Sequence, residues 1–323
     1  MNPSLALPHS TEVPATGLRA LARMLWRTNW PLTLLAAVSL ALLGVTLLGL
    51  ALDPRIITGA PAWMKPFKFA VSVTIYSLTL AWMLSYVRAH PRLVALAGHL
   101  TAWSLVGELG IIVFQVVRGR ASHFNFSTPL DGALFGAMGS MIVVVFLMGL
   151  LAGGLLLRQR LADAALAAGL RWGLLSALVG MSVAYLMTSV PTPAQAAVME
   201  TGEMPETFGA HSVGVDDGGP GLPLVGWSTV GGDLRVAHFI GLHGLQALPL
   251  TALALGRFTR LDERRRARLV RVAALGYIGL TLLAAWQALR GQPVIAPDAL
   301  TLAAGAALAV GVGALGVWSA RRK

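Results

Sequence analysis

Apolar runs of about twenty residues recur along the chain, at 31–52, 66–87, 93–117, 133–157, 170–187, 234–255, 269–289 and 300–320. Each is long enough to cross a hydrocarbon layer about 30 Å thick as a helix. Backbone inside lipid must satisfy its own hydrogen bonds, and a helix does so within a single segment. The pattern predicts an all-α membrane protein, a bundle of eight transmembrane helices with one long outer loop at 189–233. The first run is too long for a signal-peptide core and lacks a convincing cleavage site. Residues 162–169 read as an interfacial lead-in to the fifth run.

Shorter polar stretches complete the plan. Residues 1–16 are polar and contain Pro, which suits a tail. Arg19, Arg23 and Arg27 then recur every fourth residue, giving one basic face to a helix lying on the membrane surface. The chain divides into a cytoplasmic tail with this basic helix (1–28), the eight-helix domain (29–320) and a cytoplasmic end (321–323). Within the outer loop, Thr192-Pro193-Ala194-Gln195 is a capping box with Pro at the first helical position, predicting a short helix to about Met199. Gly and Pro dominate from 215 to 223.

Composition adds the orientation. The chain is 56% hydrophobic and 12% charged, where soluble domains keep about a quarter of their residues charged. A net charge of +11 would in a soluble protein raise nucleic acid as a partner. Here 18 of the 25 basic residues fall on the side of the bundle that carries both termini, so the bilayer is the expected partner and nucleic acid is not. The same bias places both termini in the cytoplasm, and the Arg and Ala usage suits a bacterial plasma (inner) membrane. Cysteine is absent, which excludes disulfides, thiolate metal sites and haem attached through thiols.

The unusual residues gather toward the outer side. Two of the three lysines, Lys65 and Lys68, stand three apart at the start of the second span, where an ammonium can bind an anion or carry a proton or snorkel to headgroups. In the third span Thr101, Ser104, Glu108 and Gln115 form one helical stripe. Glu108 lies about 13 Å below the outer end, where a carboxylate must face protein or water; the alternative is a packing carboxyl that joins helices. The following loop carries Arg118, Arg120, His123 and Asn125. These can cradle a carboxylate or phosphate, or form a turn in which Ser127 or Thr128 caps the fourth span ahead of Pro129. The segment 227–246 runs from a Gly-rich loop into a helix bearing Asp233, Arg235, His238, His243 and Gln246. His243 sits about 13 Å down, the depth of Glu108.

These residues lead to one principal expectation and two alternatives. The principal one is an outward-opening intramembrane site built by spans two, three and six. Glu108 pairs with His243, and with His238, as acid and base or as ligands. Lys65, Lys68, Gln115, Arg118, Arg120, His123, Asn125, Asp233, Arg235 and Gln246 hold a small anionic or lipid-like ligand. Haem or a divalent metal on His238 and His243 would make the protein a redox protein; without one it reads as a membrane enzyme. The alternatives are a small-solute transporter, disfavoured by an inner half poor in polar residues apart from His99, and a non-catalytic scaffold that uses the outer loop. Gly311, Gly313 and Gly316 fit a dinucleotide fingerprint, but inside an apolar span they read as helix packing, and no nucleotide site is expected.

Overall fold

The computed structural model describes residues 17–322; the tail read at 1–16 lies outside them. Its helices are α1 (Leu18–Thr28), α2 (Trp30–Leu52), α3 (Met64–Leu84), α4 (Pro91–Val117), α5 (Pro129–Arg158), α6 (Ala164–Leu186), α7 (Pro193–Glu200), α8 (Leu234–Phe258), α9 (Glu263–Leu289) and α10 (Ala299–Arg321). Among the described residues eight helices, α2–α6 and α8–α10, are long and apolar enough to cross a membrane. The protein is an all-α membrane bundle. Its only strands are two-residue antiparallel pairs, Ile56–Ile57 with Ala60–Pro61 and Ser212–Val213 with Gly232–Asp233, among the described residues.

Helix starts follow side-chain caps rather than the edges of the apolar runs. The side chains of Asn29, Thr128, Asp163, Asp233, Asp262 and Asp298 each accept a backbone N–H from the first turn of the helix that follows. Such a cap satisfies a donor that the helix itself leaves orphaned. Two expectations change as a result. The fifth span begins at Ala164, with the supposed lead-in already helical, and the seventh begins at Glu263, ahead of the expected start at 269, with the arginine run 264–271 in its first turns. Helical hydrogen bonding continues past the point where charge begins, so hydropathy alone sets the boundary too late. In the long connection, α7 forms with the Thr192–Gln195 capping box complete.

Two packed groups organise the bundle. In one, α2, α3 and α4 pack together and α5 lies against α4; in the other, α6, α8 and α9 pack together with α10 on the outside of α9. The α6–α8 contact is closest, and glycine makes it so. A Cβ on Gly180 would lie 2.6 Å from the Leu242 nitrogen, and one on Gly173 would lie 2.8 Å from the Gly244 carbonyl oxygen. Ser176 Oγ donates to the Gly241 carbonyl at 3.1 Å across the same seam. Lipid tails are as apolar as leucine, so helices in a membrane associate through close packing and such hydrogen bonds. Pro249 sits inside α8 and packs against Gly169 and Gly173.

α10 contributes only Thr301 and Ser319 to the buried set. A Cβ on Gly311, Gly313 or Gly316 would meet nothing within 4 Å. The helix packing expected of these glycines is therefore not made among the described residues, because α10 stands at the edge of the bundle.

Gly180→Ala should destabilise the protein by about 1–3 kcal/mol, the usual cost of overpacking. Gly311→Ala should leave stability unchanged or raise it by up to about 1 kcal/mol through helix propensity. Thermal unfolding of the detergent-purified variants distinguishes the two; equal effects would contradict the packing described.

Candidate functional site

At the end of the bundle opposite the termini, the 118–128 and 189–233 connections lie against each other. The Phe126 N–H donates to the Glu206 carbonyl at 2.7 Å, and the Phe208 N–H donates to the Phe124 carbonyl at 3.0 Å. Asn125 and Thr207 are thereby paired as an antiparallel bridge. The tip of the α2–α3 turn reaches the same layer, where a Cβ on Gly59 (φ 71°) would collide with the backbone of Gly218.

Four of the expected ligand-binding residues hold this layer in place. Lys68 Nζ donates to the Val225 carbonyl at 2.9 Å. Arg235 grips Asp233 at 2.5 Å and donates to the Gly226 carbonyl at 2.6 Å. Buried Asp233 also caps α8 through the Arg235 N–H and accepts the Ser228 N–H at 2.7 Å. Asn125 bonds the Ala121 carbonyl and the Ser127 N–H and hydroxyl. Hydrogen bonds to charged groups contribute about 1.5–3 kcal/mol each, so Lys68 and Arg235 act as clamps on the 189–233 segment.

Gln115 and Arg118 form a second joint. Arg118 NH1 donates to Asp131 and to the Gln115 side-chain oxygen, both at 2.6 Å, while Gln115 Nε2 donates to Asp131 at 2.8 Å. With the Thr128 cap on Asp131, this arrangement matches a well-capped turn and fixes the α4–α5 corner. Arg120 is exposed.

The two histidines of α8 do not meet Glu108. His238 Nδ1 lies 2.8 Å from the Gly180 carbonyl oxygen, in the glycine seam. His243 Nδ1 lies 3.2 Å from Gln246 Oε1, and Gln246 Nε2 donates to Thr79 in α3 at 3.0 Å. α8 packs on α6 and α9, whereas α4 packs on α5, α3 and α2. The expected Glu108–His243 pair is replaced by Glu108–His123, with His123 Nε2 3.7 Å from Glu108 Oε1. Equal depth along two helices does not bring them side by side. For the haem or metal expectation, each α8 imidazole is held at Nδ1 by a different neighbour, which leaves Nε2 as the atom a metal would take. Among the described residues no group of three His, Asp or Glu side chains is placed to hold a metal ion.

What converges is another set. Glu108 is buried, and its Oε2 has no hydrogen-bond partner. Lys65, half-buried on the first turn of α3, lies within electrostatic range of Glu108, Asp217, His123 and His211. His211 Nδ1 lies 2.6 Å from Asp217 Oδ2, and Asp217 also accepts the N–H groups of His211 and Ser212. The Asp217 bond fixes the tautomer, leaving the His211 Nε2 lone pair free to take a proton. The rings of Phe69, Phe124 and Phe135 stand 5.8–6.1 Å from the His123 ring, and Phe124 lies 5.0 Å from that of His211. His211 and Asp217 escaped sequence reasoning. The available signal was a single histidine in the long loop, six residues before an aspartate.

Electrostatics in the loops follows burial. Desolvation holds the His123 imidazole well below its ordinary range, and the neighbouring Lys65 and His211 push the same way. Burial also lowers His211, although its Asp217 partner opposes the shift. For Asp217 burial acts upward, but the hydrogen bonds from His211 and Ser212 outweigh it and keep the carboxyl below the usual carboxylate range. Compared with known protein families, curated proteins and solved structures, the chain matches none, so its own residues carry the functional reading.

A histidine whose folded pKa lies below the ordinary value of 6.5 stabilises the fold fully above that value and progressively less as pH falls toward the folded pKa. In that window the unfolded chain binds a proton that the folded chain refuses. The share of Asp217 is present above the ordinary carboxylate value and is lost only in stronger acid. Thermal stability should therefore drop as pH falls from neutral into the mildly acidic range, and the drop should be smaller in His123→Gln. An identical pH slope in wild type and variant would contradict this assignment.

Proposed function

We propose that this is a multi-pass protein of a bacterial plasma membrane, with both termini in the cytoplasm. In this reading its outward-opening site binds a small anionic or lipid-like ligand and performs acid–base chemistry on it. One observation carries the reading: the buried carboxyl of Glu108 has one oxygen facing His123 and the other without a partner. A buried polar atom without a hydrogen bond costs about 1–3 kcal/mol, more when charged, and a ligand donor or ordered water at Oε2 removes that cost.

The surrounding groups suit such a ligand. Lys65 supplies three N–H donors on a flexible stem, which fits an anionic head group. The Phe69, Phe124 and Phe135 rings provide an apolar wall for a carbon chain. His211, oriented by Asp217, is the proton acceptor, and Glu108 is the group that returns or withholds a proton. Positioned acid–base groups of this kind contribute typically 10²–10⁴-fold to a reaction rate. The bias of basic residues toward the termini supports the orientation.

Passage of a proton or small solute is a second reading, and a specific observation favours it. Asn29 Nδ2, Ser39 Oγ, Ser77 Oγ and Thr101 Oγ1 are also buried without partners, all within the α2–α3–α4 group. The Asn29 side chain fills the space a Cβ on Gly98 would occupy. Ten residues further along each helix, roughly 15 Å, Ser39 comes level with Glu108. The half of the bundle nearer the termini is therefore less barren than His99 alone suggested.

Decanoate and decyl phosphate are suitable probes, with decanol as the uncharged control. Calorimetric titration of the full-length protein should show binding of an anionic probe over decanol, weakened roughly tenfold or more, about 1.4 kcal/mol, in Lys65→Met. Arg120→Gln should bind as wild type does. Anion binding that survives Lys65→Met unchanged would sink the site. Proton uptake into proteoliposomes that is lost in both Glu108→Gln and Thr101→Val would establish passage instead.

A further inference from the structure

A separate cleft opens at the arginine-rich end of the bundle, far from Glu108. It encloses about 400 Å³ and is lined by Arg160, Leu161, the α6 face Ala164, Ala167, Ala168, Arg171 and Trp172, and Arg271 of α9. A single water takes about 30 Å³ of liquid volume, so the space admits a head group rather than one ion.

Its charges are unbalanced in a particular way. Asp163 is committed, capping α6 through the Ala165 and Leu166 N–H groups and lying 3.6 Å from Arg266. Glu263 accepts the Ala164 N–H at 2.7 Å. Arg171 Nε and NH2 donate to the carbonyls of Leu156, Leu157 and Gln159 at the end of α5. Among the described residues Arg160 and Arg271 have no acidic partner; both side chains are exposed at the mouth. Arg271 lies eight residues into α9, about 12 Å along it, and Trp172 has the amphipathic ring that favours the membrane–water boundary. The floor between the arginines is alanine. Cationic rim, aromatic edge and apolar floor match a phosphate carried on a glyceride.

We propose that this cleft binds the phosphodiester of an anionic phospholipid, with Arg160 and Arg271 as its guanidinium donors and the acyl chains leaving along the alanine face of α6. Guanidinium forks match phosphate oxygens geometrically, and basic pockets between spanning helices are suited to anionic head groups. The inference is independent of the site at Glu108.

The test uses full-length protein in detergent with phosphatidylglycerol, phosphatidylcholine or inorganic phosphate added, read by native mass spectrometry and by thermal stability. Phosphatidylglycerol should be retained and should stabilise the protein; phosphatidylcholine should do neither to the same extent. The double variant Arg160→Gln/Arg271→Gln should lose retention roughly tenfold or more, since each basic group near an anionic surface is worth about a factor of five. Its stability in phosphatidylcholine should stay at wild-type level, which shows that it folds. Arg257→Gln/Arg260→Gln removes the same charge elsewhere and should retain the lipid. Equal losses in the two double variants would reduce the effect to bulk charge and overturn the cleft. Inorganic phosphate that stabilises as well as the lipid and displaces it would overturn the lipid assignment.

Discussion

A polar atom buried among apolar helices has no water to turn to, and each one left unpaired raises the energy of the fold. That constraint sorts the ionisable residues of this chain. Arg118, Gln115 and Asp131 satisfy one another. Lys68 and Arg235 spend their donors on loop carbonyls and on Asp233. Removing one partner from such a buried set is strongly destabilising because the other is left uncompensated. The residues that remain unsatisfied once these bonds are made mark where the molecule has room for something else. At the end opposite the termini the unsatisfied atom is Glu108 Oε2, with Lys65 in electrostatic range.

The long connection matters for the same reason. The 189–233 segment lies against the 118–128 connection, which carries His123, the neighbour of Glu108. The segment is held at several separated points: the Lys68 and Arg235 bonds, the Asn125–Thr207 bridge and the Gly59–Gly218 approach. In the covered site proposed, charge–charge interactions would exceed those in water. The segment also brings in the His211–Asp217 pair from far along the chain.

Much of the architecture was legible in the sequence because hydropathy and length are local properties. Eight spans, the basic helix at 18–28 and the Thr192–Gln195 capping box all follow from short windows. Helix boundaries were less legible where charge and helix overlap, as at Ala164 and Glu263. The candidate site was legible only in part. Glu108 and Lys65 announce themselves as costly residues in apolar surroundings, but which helices touch is a long-range property. His238 and His243 looked equally costly, yet α8 spends them on the Gly180 carbonyl and on Gln246. The glycine seam that decides this, with Gly173 and Gly180 facing Gly244 and Gly241, can be read only once the two helices are known to be partners. His211 and Asp217 sit in polar loop sequence, where neither residue is unusual.

The most direct test of the central claim asks whether the 189–233 segment is docked over the α4–α5 corner in the membrane. The chain contains no cysteine, so an introduced pair reports without background. Asn125 and Thr207 face each other across the antiparallel bridge, flanked by the Phe126–Glu206 and Phe208–Phe124 hydrogen bonds. That spacing, near 4.5 Å between Cα atoms for a pair of this type, lies within disulfide range. Asn125→Cys/Thr207→Cys in native membranes should oxidise to a single intrachain disulfide and become refractory to maleimide. Two freely labelled thiols under the same conditions would show the segment undocked and contradict the enclosed site.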